Sequence, residues 1–388
     1  MRTFKFSVAA STVTSITASI TVALIAQAVP ASADAPWFAA YVSTSIPNGP
    51  GPGPAPRGTV SADFNRDGRA DIVTISNFTS GNLLFAPGLG NGQFGTTSQI
   101  AGTTGVQGID AGDVNGDGNP DIVAMTTSQV LVELGNGHGG FSLGGTYPLT
   151  LGGQVEPRLV DLNGDGALDI VAPTFTAIQT LLNNGHGGFI AGPTTQISGA
   201  SVLSAISPAN LDNDGHADLF AVDGASGTAF ALRGTGTGAF TVSGQIYATG
   251  FVPEDVASID LNGDGCDDIA TVGSFSFTLA TALTDCTGKF TATALGTTQY
   301  AGPGPTSLTA ADLNGDGRTD LVVSSLATPA PQLMVLAGNG TTSMRQVGNF
   351  PVGVLPQNPV IADFNGDGKP DIVTAGPGSL TFLRNTTA

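Results

Sequence analysis

A nine-residue acidic motif recurs seven times along this chain, and it limits the possible folds more than any other feature. The last copy reads DFNGDGKPD, from Asp363 to Asp371. The spacing between neighbouring copies is 48 to 52 residues, since the copies begin at Asp63, Asp113, Asp161, Asn210, Asp260, Asp312 and Asp363. A structural period of about fifty residues is typical of a β-propeller blade. Seven repeats therefore predict one closed body and not several domains.

Each repeat has the same order of apolar and polar segments. In the second repeat an apolar strand leads into the loop at Asp113, two further strands follow, and a Gly-Asn-Gly turn precedes Phe141. With 56 glycines and only 11% charged residues, the composition favours short strands joined by turns. We predict an all-β, seven-bladed β-propeller with four-stranded blades of about 50 residues. Residues at the place of Phe141 are expected to pack between blades: Phe94, Phe189, Phe240, Phe290 and Met344.

The two ends of the repeat region are complementary. The last repeat has a third strand, Leu380 to Leu383, but no fourth, and the stretch from Trp37 to Val42 is an aromatic-led strand with no acidic loop before it. We predict that this N-terminal strand completes the last blade, because closing the ring removes free sheet edges. The Pro/Gly-rich run from Asn48 to Gly58 would then lead into the first blade.

The acidic motif has the composition of a metal-binding loop. It places oxygen-bearing side chains at positions 1, 3, 5 and 9 and glycine at position 6. Carboxylate, amide and carbonyl oxygens suit Ca2+, whereas Mg2+ requires a tighter octahedron and Zn2+ would need His or Cys. An EF-hand loop needs an acid at position 12, where the first three copies have Thr74, Ala124 and Ala172. Ordinary Asp-Gly hairpin turns are the alternative, but seven copies of the same four polar positions argue against it.

The pattern D-x-N-x-D-G-x-x-D followed by an apolar strand resembles the FG-GAP/VCBS repeat, the calcium-bearing propeller repeat of integrin alpha-chain heads. The resemblance covers residues 35–388 and is specific for fold and metal, but not for function. The fourth copy exchanges Asp and Asn between positions 1 and 3, and we expect it to bind as well because its charge is unchanged. The resemblance implies up to seven structural Ca2+ ions with these side-chain ligands: Asp63, Asn65, Asp67, Asp71; Asp113, Asn115, Asp117, Asp121; Asp161, Asn163, Asp165, Asp169; Asn210, Asp212, Asp214, Asp218; Asp260, Asn262, Asp264, Asp268; Asp312, Asn314, Asp316, Asp320; Asp363, Asn365, Asp367, Asp371.

The N-terminal residues 1–33 have the layout of a secretion signal peptide. Arg2 and Lys5 precede an apolar, Thr/Ala-rich run, and Ala31-Ser32-Ala33 offers a cleavage site before Asp34. An uncleaved membrane anchor is the weaker alternative, because the run is short and interrupted by Ser and Thr. We therefore predict a secreted propeller of residues 34–388. In that compartment Cys266 and Cys286, both in the fifth repeat, are expected to form a disulfide.

The charge of the chain excludes some partners. The formal net charge is −18, and a strongly acidic surface disfavours nucleic acid and anionic membranes. The three histidines are His138, His186 and His216. They are interpreted as turn residues and not as general bases, so we predict no catalytic residues. Three carboxylates in blade connections would be available for glycoside cleavage: Glu156, Glu254 and Asp255. Nothing in the sequence selects them for this role.

These observations favour a non-enzymatic binding or adhesion module for an extracellular glycan, as in lectins, or for a protein surface. We expect a monomer. Binding would use the face opposite the acidic loops, where the connections vary between repeats. An extracellular polysaccharide hydrolase or lyase and a structural cell-envelope protein are the alternatives. The variable connections include Asn77-Phe78, Phe175, Phe275, Phe277 and Thr328-Pro329-Ala330-Pro331.

Overall fold

The computed structural model describes residues 37–46, 58–76, 81–150, 152, 155–247, 252–273, 277–292, 295–300, 304–326, 331–353 and 356–387. The predicted signal segment and most of the Pro/Gly-rich run lie outside these residues, as do 77–80, 274–276 and 327–330 of the variable connections. None of the described residues is helical. The strands are β1 (Val42–Ser45), β2 (Thr59–Ala62), β3 (Asp71–Ile75), β4 (Leu83–Ala86), β5 (Ser98–Gln99), β6 (Val106–Gly112), β7 (Asp121–Thr126), β8 (Gln129–Gly135), β9 (Phe141–Pro148), β10 (Arg158–Val160), β11 (Asp169–Pro173), β12 (Ala177–Asn183), β13 (Phe189–Gln196), β14 (Leu203–Ala209), β15 (Asp218–Asp223), β16 (Thr228–Gly234), β17 (Phe240–Tyr247), β18 (Asp255–Ile259), β19 (Asp268–Gly273), β20 (Thr278–Ala282), β21 (Gly296–Tyr300), β22 (Pro305–Ala311), β23 (Asp320–Ser325), β24 (Gln332–Ala337), β25 (Arg345–Pro351), β26 (Gln357–Ala362), β27 (Asp371–Gly376) and β28 (Ser379–Leu383).

These strands form seven four-stranded antiparallel sheets, one for each repeat. The first six blades are β2–β5, β6–β9, β10–β13, β14–β17, β18–β21 and β22–β25 in chain order, and the seventh is β26, β27, β28 and β1. The sheets form a ring, so the prediction of a seven-bladed, all-β propeller is confirmed. Each acidic loop joins the first and second strands of its blade.

The position of a strand in its blade determines its burial. Every residue of the second strand β7 is buried, whereas the fourth strand β9 is largely exposed. This difference follows because the middle strands have a neighbouring blade on both faces, so they require continuous apolar sequence. The first strands are half-buried, as in β22, because they line the central channel.

The core consists of seven apolar clusters, each between two neighbouring blades. Between the first and second blades, Phe64, Phe85 and Phe141 pack edge to face with ring centroids 5.6 to 6.3 Å apart. The prediction that the aromatic position packs between blades is confirmed. In the seventh blade this position is taken by Phe38, which is 2% exposed, while its neighbour Trp37 is only partly buried.

An N-terminal strand closes the ring as predicted, but it lies at Val42–Ser45 and not at Trp37 to Val42. β1 pairs with β28 in antiparallel register, from Val42 opposite Phe382 to Ser45 opposite Ser379. The blade therefore has its full set of four strands, which come from the two ends of the propeller sequence.

The predicted disulfide between Cys266 and Cys286 is also present. Cys266 lies in the acidic loop of the fifth blade and Cys286 in the turn between its third and fourth strands. The bond therefore joins a loop and a turn at the same end of one blade.

Candidate metal centres and binding surface

The acidic loops fold around their own side chains. In the second loop Asp113 accepts hydrogen bonds from the N–H groups of Gly116 (2.7 Å) and Gly118 (2.8 Å). Asn115 at position 3 accepts one from the N–H of Asp117 (2.8 Å). Gly118 has a φ of +81°, which glycine adopts without a steric penalty. The spacing of the motif is thus required by the loop's own conformation.

The aspartate at position 9 attaches each loop to the rest of its blade. Asp121 is fully buried, and its two oxygens accept hydrogen bonds from the N–H of Val114 in the loop (2.9 Å) and of Gly135 at the end of the third strand, next to the third-to-fourth turn (2.8 Å). The loops and these turns therefore lie at one end of the propeller, which we call the acidic face. The same pair of bonds is made in the other blades by Asp71, Asp169, Asp218, Asp268, Asp320 and Asp371.

Burial makes these position 9 carboxylates costly to ionise. The pKa of Asp121 is raised to about 6, mainly by desolvation and also by repulsion from Asp117 and Asp113. The hydrogen bonds from its two N–H donors lower the pKa but do not cancel this effect. A divalent cation beside the loop would offset both the desolvation and the repulsion. The pKa is raised to about 6 in the same way at Asp71, Asp268, Asp320 and Asp371.

The donor set of the loops suits Ca2+, because every side chain at positions 1, 3, 5 and 9 offers oxygen, which a hard cation prefers. Side chains at these positions also lie next to one another. The amide of Asn365 is 2.6 Å from the carboxylate of Asp371, and the amide of Asn115 is 3.1 Å from that of Asp117. Rotation of the asparagine side-chain amide by about 180° exchanges its nitrogen and oxygen, so position 3 can offer its oxygen to a cation.

The three carboxylates of one loop do not all converge. Among the described His, Cys, Asp and Glu side chains, a single group of three has its ligand atoms within 4.8 Å: Asp264, Cys266 and Cys286. This group is not a metal site, because the disulfide uses both cysteines. In the loops, the position 1 carboxylate faces the N–H groups of its own loop, as at Asp113.

A second polar site lies in the central channel, where first strands surround a cavity of about 400 Å³. Its charged lining comes from the positions three and five residues before an acidic loop. Arg158 forms an ion pair with Glu156 at 2.7 Å, and Asn358 from the seventh blade hydrogen-bonds to the same carboxylate. Asp110 and Asp255 complete the charged lining. Asp110, Arg158 and Asn358 were not predicted from the sequence, because their roles depend on contacts between blades.

The channel carboxylates hold neighbouring blades together. Asp110 accepts a hydrogen bond from the N–H of Leu159 in the next blade (2.8 Å), and Asp255 accepts one from the N–H of Leu308 in the next (3.0 Å). Each first strand is the inner edge of its sheet, so its backbone N–H groups that face the channel have no neighbouring strand to pair with. Carboxylate acceptors from the adjacent blade satisfy them. Desolvation raises the pKa of Asp110, against the lowering by the nearby Arg158. Of the three candidate catalytic carboxylates, Glu156 and Asp255 line this channel, and Glu254 is not among its lining residues.

The histidines lie where the sequence placed them. The N–H of His138 donates to the side chain of Asn136, and the N–H of His186 donates to that of Asn184, each at 2.9 Å. His216 lies in the fourth acidic loop. All three positions are turns or loops on the acidic face.

The described part of the face opposite the acidic loops includes exposed apolar side chains in the loops of the third to fifth blades. Phe175, Val202, Val252 and Phe277 are 37 to 42% exposed and belong to the third to fifth blades and their connections. We call this set the apolar ridge. The loops of Phe175 and Val202 are in direct contact, since the carbonyl of Phe175 accepts the N–H of Leu203 at 2.9 Å.

One further bond links the connection before the fourth blade to the connection before the fifth, whereas Phe277 is held within its own turn. Ser204 donates its hydroxyl to the carbonyl of Pro253, next to Val252, at 2.8 Å. Phe277 is held by a bond from its N–H to Gly273 (3.2 Å) and has a φ of +56°. For an aromatic residue this left-handed conformation is strained, and such strain concentrates at functional sites.

No helix in the part of the chain described above is both long and apolar enough to cross a membrane.

Known structures share the fold at low sequence identity. A lectin of Agrocybe aegerita, solved for its recognition of non-reducing terminal N-acetylglucosamine, is 18% identical with a TM-score of 0.56, over 90% of this chain and 96% of that one. BBS1N, solved in complex with ARL6DN, is 12% identical with a TM-score of 0.62, over 90% and 97%. The V. cholerae biofilm matrix protein Bap1 is 13% identical with a TM-score of 0.51, over 91% and 88%. At such identities the likeness shows the fold alone.

Sequence comparison identifies the family. No curated protein gives a significant match to the chain. The profile of the FG-GAP-like repeat matches residues 63–124, 113–172, 161–221 and 210–271, and that of the FG-GAP repeat matches 304–341 and 356–386. These matches cover well over half of the 388 residues and coincide with the blades and their acidic loops. The chain therefore belongs to the FG-GAP repeat family.

Proposed function

We propose that this protein is a secreted, calcium-stabilised propeller that binds an extracellular glycan, as a lectin does, and catalyses no reaction. The observation that carries the proposal is the apolar ridge, which exposes two phenylalanines on the variable face of a closed, rigid scaffold. Loops on such a scaffold usually determine the choice of partner. A protein surface is the alternative partner for the same ridge.

Calcium has a structural role in this proposal. Up to seven ions would neutralise the clustered carboxylates of the acidic face and fix the loops. The support is the all-oxygen donor set, the adjacent side chains of positions 3, 5 and 9, and the raised pKa of the buried position 9 carboxylates. The ions would lie at the end of each blade away from the ridge, so they would stabilise the scaffold without contacting the glycan.

Secretion is supported by the disulfide, since such bonds persist in oxidising compartments. The Cys266–Cys286 bond leaves no free cysteine in the chain. This agrees with export directed by residues 1–33.

The apolar ridge suits a glycan because sugar rings stack their C–H faces on aromatic rings, while hydroxyls bond to nearby polar groups. The exposed faces of Phe175 (40%) and Phe277 (42%) provide the first kind of contact. Ser201 and Ser226, both beside the turn at Asp223, lie near the ridge and provide polar groups. The lectin with the same fold binds terminal N-acetylglucosamine, which makes amino sugars the first ligands to test.

A polysaccharide hydrolase or lyase is the second candidate, because Glu156 and Asp255 both line the channel. Their hydrogen bonds to Arg158, Asn358 and Leu308 give them a structural role, which favours binding over catalysis. Release of reducing ends from a polysaccharide, abolished by Glu156→Gln, would support the enzyme instead.

The proposal is tested by applying the full chain to a glycan array in Ca2+. We expect a focused set of hits that the double variant Phe175→Ser/Phe277→Ser loses. Ile190→Ser is the matched control, because Ile190 is 68% exposed but lies on the outer strand β13. An empty array from folded protein would contradict the glycan proposal and favour a protein or cell-envelope partner. Binding that survives in the double variant would exclude the ridge.

A further inference from the structure

The fourth acidic loop differs from the others at its first residue. In the other six loops the position 1 aspartate accepts the N–H of the position 6 glycine at 2.8 to 2.9 Å. The fourth loop has Asn210 at this position, and its amide instead exchanges two hydrogen bonds with Asn213 at position 4. Oδ1 accepts from the N–H of Asn213 (3.0 Å), and Nδ2 donates to its side-chain oxygen (2.6 Å).

The same loop has a protein cation on its carboxylates. The Nη2 atom of Arg233, at the end of β16, forms an ion pair with Asp212 at position 3 and lies 3.4 Å from Oδ2 of Asp214 at position 5. The side chain of Asp212 is only 6% exposed. The stem of Arg233 packs against Gly288 of the fifth blade, where a Cβ atom would come within 3.0 Å of it. The guanidinium is therefore held in place by packing as well as by charge.

The neighbouring blade also stabilises this loop. The N–H of Asn210 donates to Asp267 in the fifth loop (2.8 Å), and the N–H of Asp267 donates back to the carbonyl of Asn210 (2.7 Å). The amide of Asn213 lies 3.1 Å from the sulfur of Cys266. These contacts attach the fourth loop directly to the fifth blade.

The seventh blade provides an internal comparison. Arg384 occupies the place of Arg233, since the residue after each arginine donates its N–H to the position 9 aspartate. Arg384 contacts position 5, at 3.2 Å from Asp367, but position 3 there is the neutral Asn365. Its side chain is 58% exposed, against 41% for Arg233. One arginine thus contacts a single carboxylate at the edge of its loop, while the other contacts two.

We infer that the fourth loop binds no Ca2+, because Arg233 takes the place of the ion on the carboxylates of positions 3 and 5. A divalent cation on the same two carboxylates would lie within a few ångströms of the guanidinium and be repelled by it. This inference rests on the proposed calcium binding of the remaining loops. It changes the expected number of ions from seven to six and makes the fourth loop independent of calcium.

The test combines two measurements on the full chain, native mass spectrometry in CaCl2 and hydrogen exchange of the loop amides with CaCl2 or EDTA. We expect six ions per chain, and calcium-dependent protection of six loops but not of residues 210–218. Arg233→Ala should raise the number to seven, whereas the matched control Arg384→Ala should leave it at six. The double variant Asn210→Asp/Asp212→Asn restores the common pattern without removing Arg233 and should also reach seven.

The outcomes separate this inference from the calcium proposal. Seven ions in the unaltered chain, with 210–218 protected by calcium, would overturn the inference and leave the calcium proposal intact. A number that stays at six in both Arg233→Ala and the double variant would overturn the role of Arg233. No ion in any loop would refute the calcium proposal and this inference together.

Discussion

Phe38 pairs with Asn385 in an antiparallel bridge that joins the segment before β1 to the end of the last blade. The ring of Phe38 packs edge to face on Phe350 of the sixth blade, with centroids 5.3 Å apart. The amide of Asn385 donates to the carbonyl of Leu313 in the sixth acidic loop (2.7 Å). The two residues therefore close the seventh blade and also attach it to the sixth.

Removal of residues 37–46 should leave the propeller unable to close. The deletion exposes the edge of β28 and removes Phe38 from the cluster between the last two blades, so we expect aggregation or a large loss of thermal stability. In the full chain, Phe38→Ala should lower the free energy of unfolding by about 3–5 kcal/mol, measured by chemical denaturation. A deletion variant that melts like the intact chain would contradict the closure.

Glu133 should be a destabilising residue. It is 1% exposed, and neither of its carboxylate oxygens has a hydrogen-bond partner among the described residues. It lies opposite Ile122 in the interface of the first two blades. Leucine occupies the corresponding position in four other blades: Leu181, Leu232, Leu336 and Leu383. Glu133→Leu should therefore raise the free energy of unfolding by about 1–3 kcal/mol at neutral pH; a loss of stability would show that the carboxylate has a role.

The advantage of Glu133→Leu should depend on pH. Burial raises the pKa of Glu133 above its ordinary value of 4.5, so the folded state binds the proton more tightly than the unfolded state. This stabilisation is complete below the unfolded pKa and is lost as pH rises through the folded pKa. The difference in free energy of unfolding between Glu133→Leu and the native chain should thus grow from pH 4.5 upward. Glu133→Gln, which cannot ionise, should show the same pH dependence as the leucine variant.

The disulfide should contribute strongly to the stability of the fifth blade. Its cysteines are 20 residues apart, and closing a loop of this size in the unfolded chain stabilises the folded state by about 3 kcal/mol. We expect the double variant Cys266→Ser/Cys286→Ser to lose that amount in denaturant titrations. The native chain under reducing conditions serves as the control and should lose as much. An unchanged midpoint in both would show that the bond does not stabilise the fold.

Phe277 should contribute to ligand binding while lowering the stability of the fold. A left-handed backbone costs a non-glycine residue about 1–2 kcal/mol, and the ring gains little by packing because it is 42% exposed. Phe277→Gly should therefore keep or raise the melting temperature while weakening ligand binding on the array. Phe277→Tyr keeps the aromatic ring and should preserve binding. A glycine variant that binds fully would exclude Phe277 from the binding surface.

Much of the fold was predictable because it depends on the spacing of residues along the chain. The seven acidic copies gave the number of blades, and the missing fourth strand after Leu383 identified the N-terminal strand as its replacement. The disulfide followed from two cysteines in one repeat. The sequence could not decide whether Trp37 or Phe38 takes the aromatic position, because either residue fits an aromatic-led strand.

The remaining features depend on contacts between blades that no single repeat contains. Glu156 and Asn358 are about two hundred residues apart in sequence and meet across the channel. Glu133 is a polar residue in a third strand, and its lack of a partner is visible only once the neighbouring blade is in place. Arg233, by contrast, contacts the acidic loop of its own blade. Its sequence position in the third strand carries no metal signal.

The thermal stability of the full chain, measured with CaCl2 and with EDTA, tests the central claim most directly. Bound Ca2+ stabilises the folded state in proportion to its affinity and concentration. We expect a large, reversible fall in melting temperature on chelation, restored by added CaCl2 but not by MgCl2 at the same concentration. An identical melting temperature in CaCl2 and EDTA would contradict the assignment of the acidic loops as calcium sites.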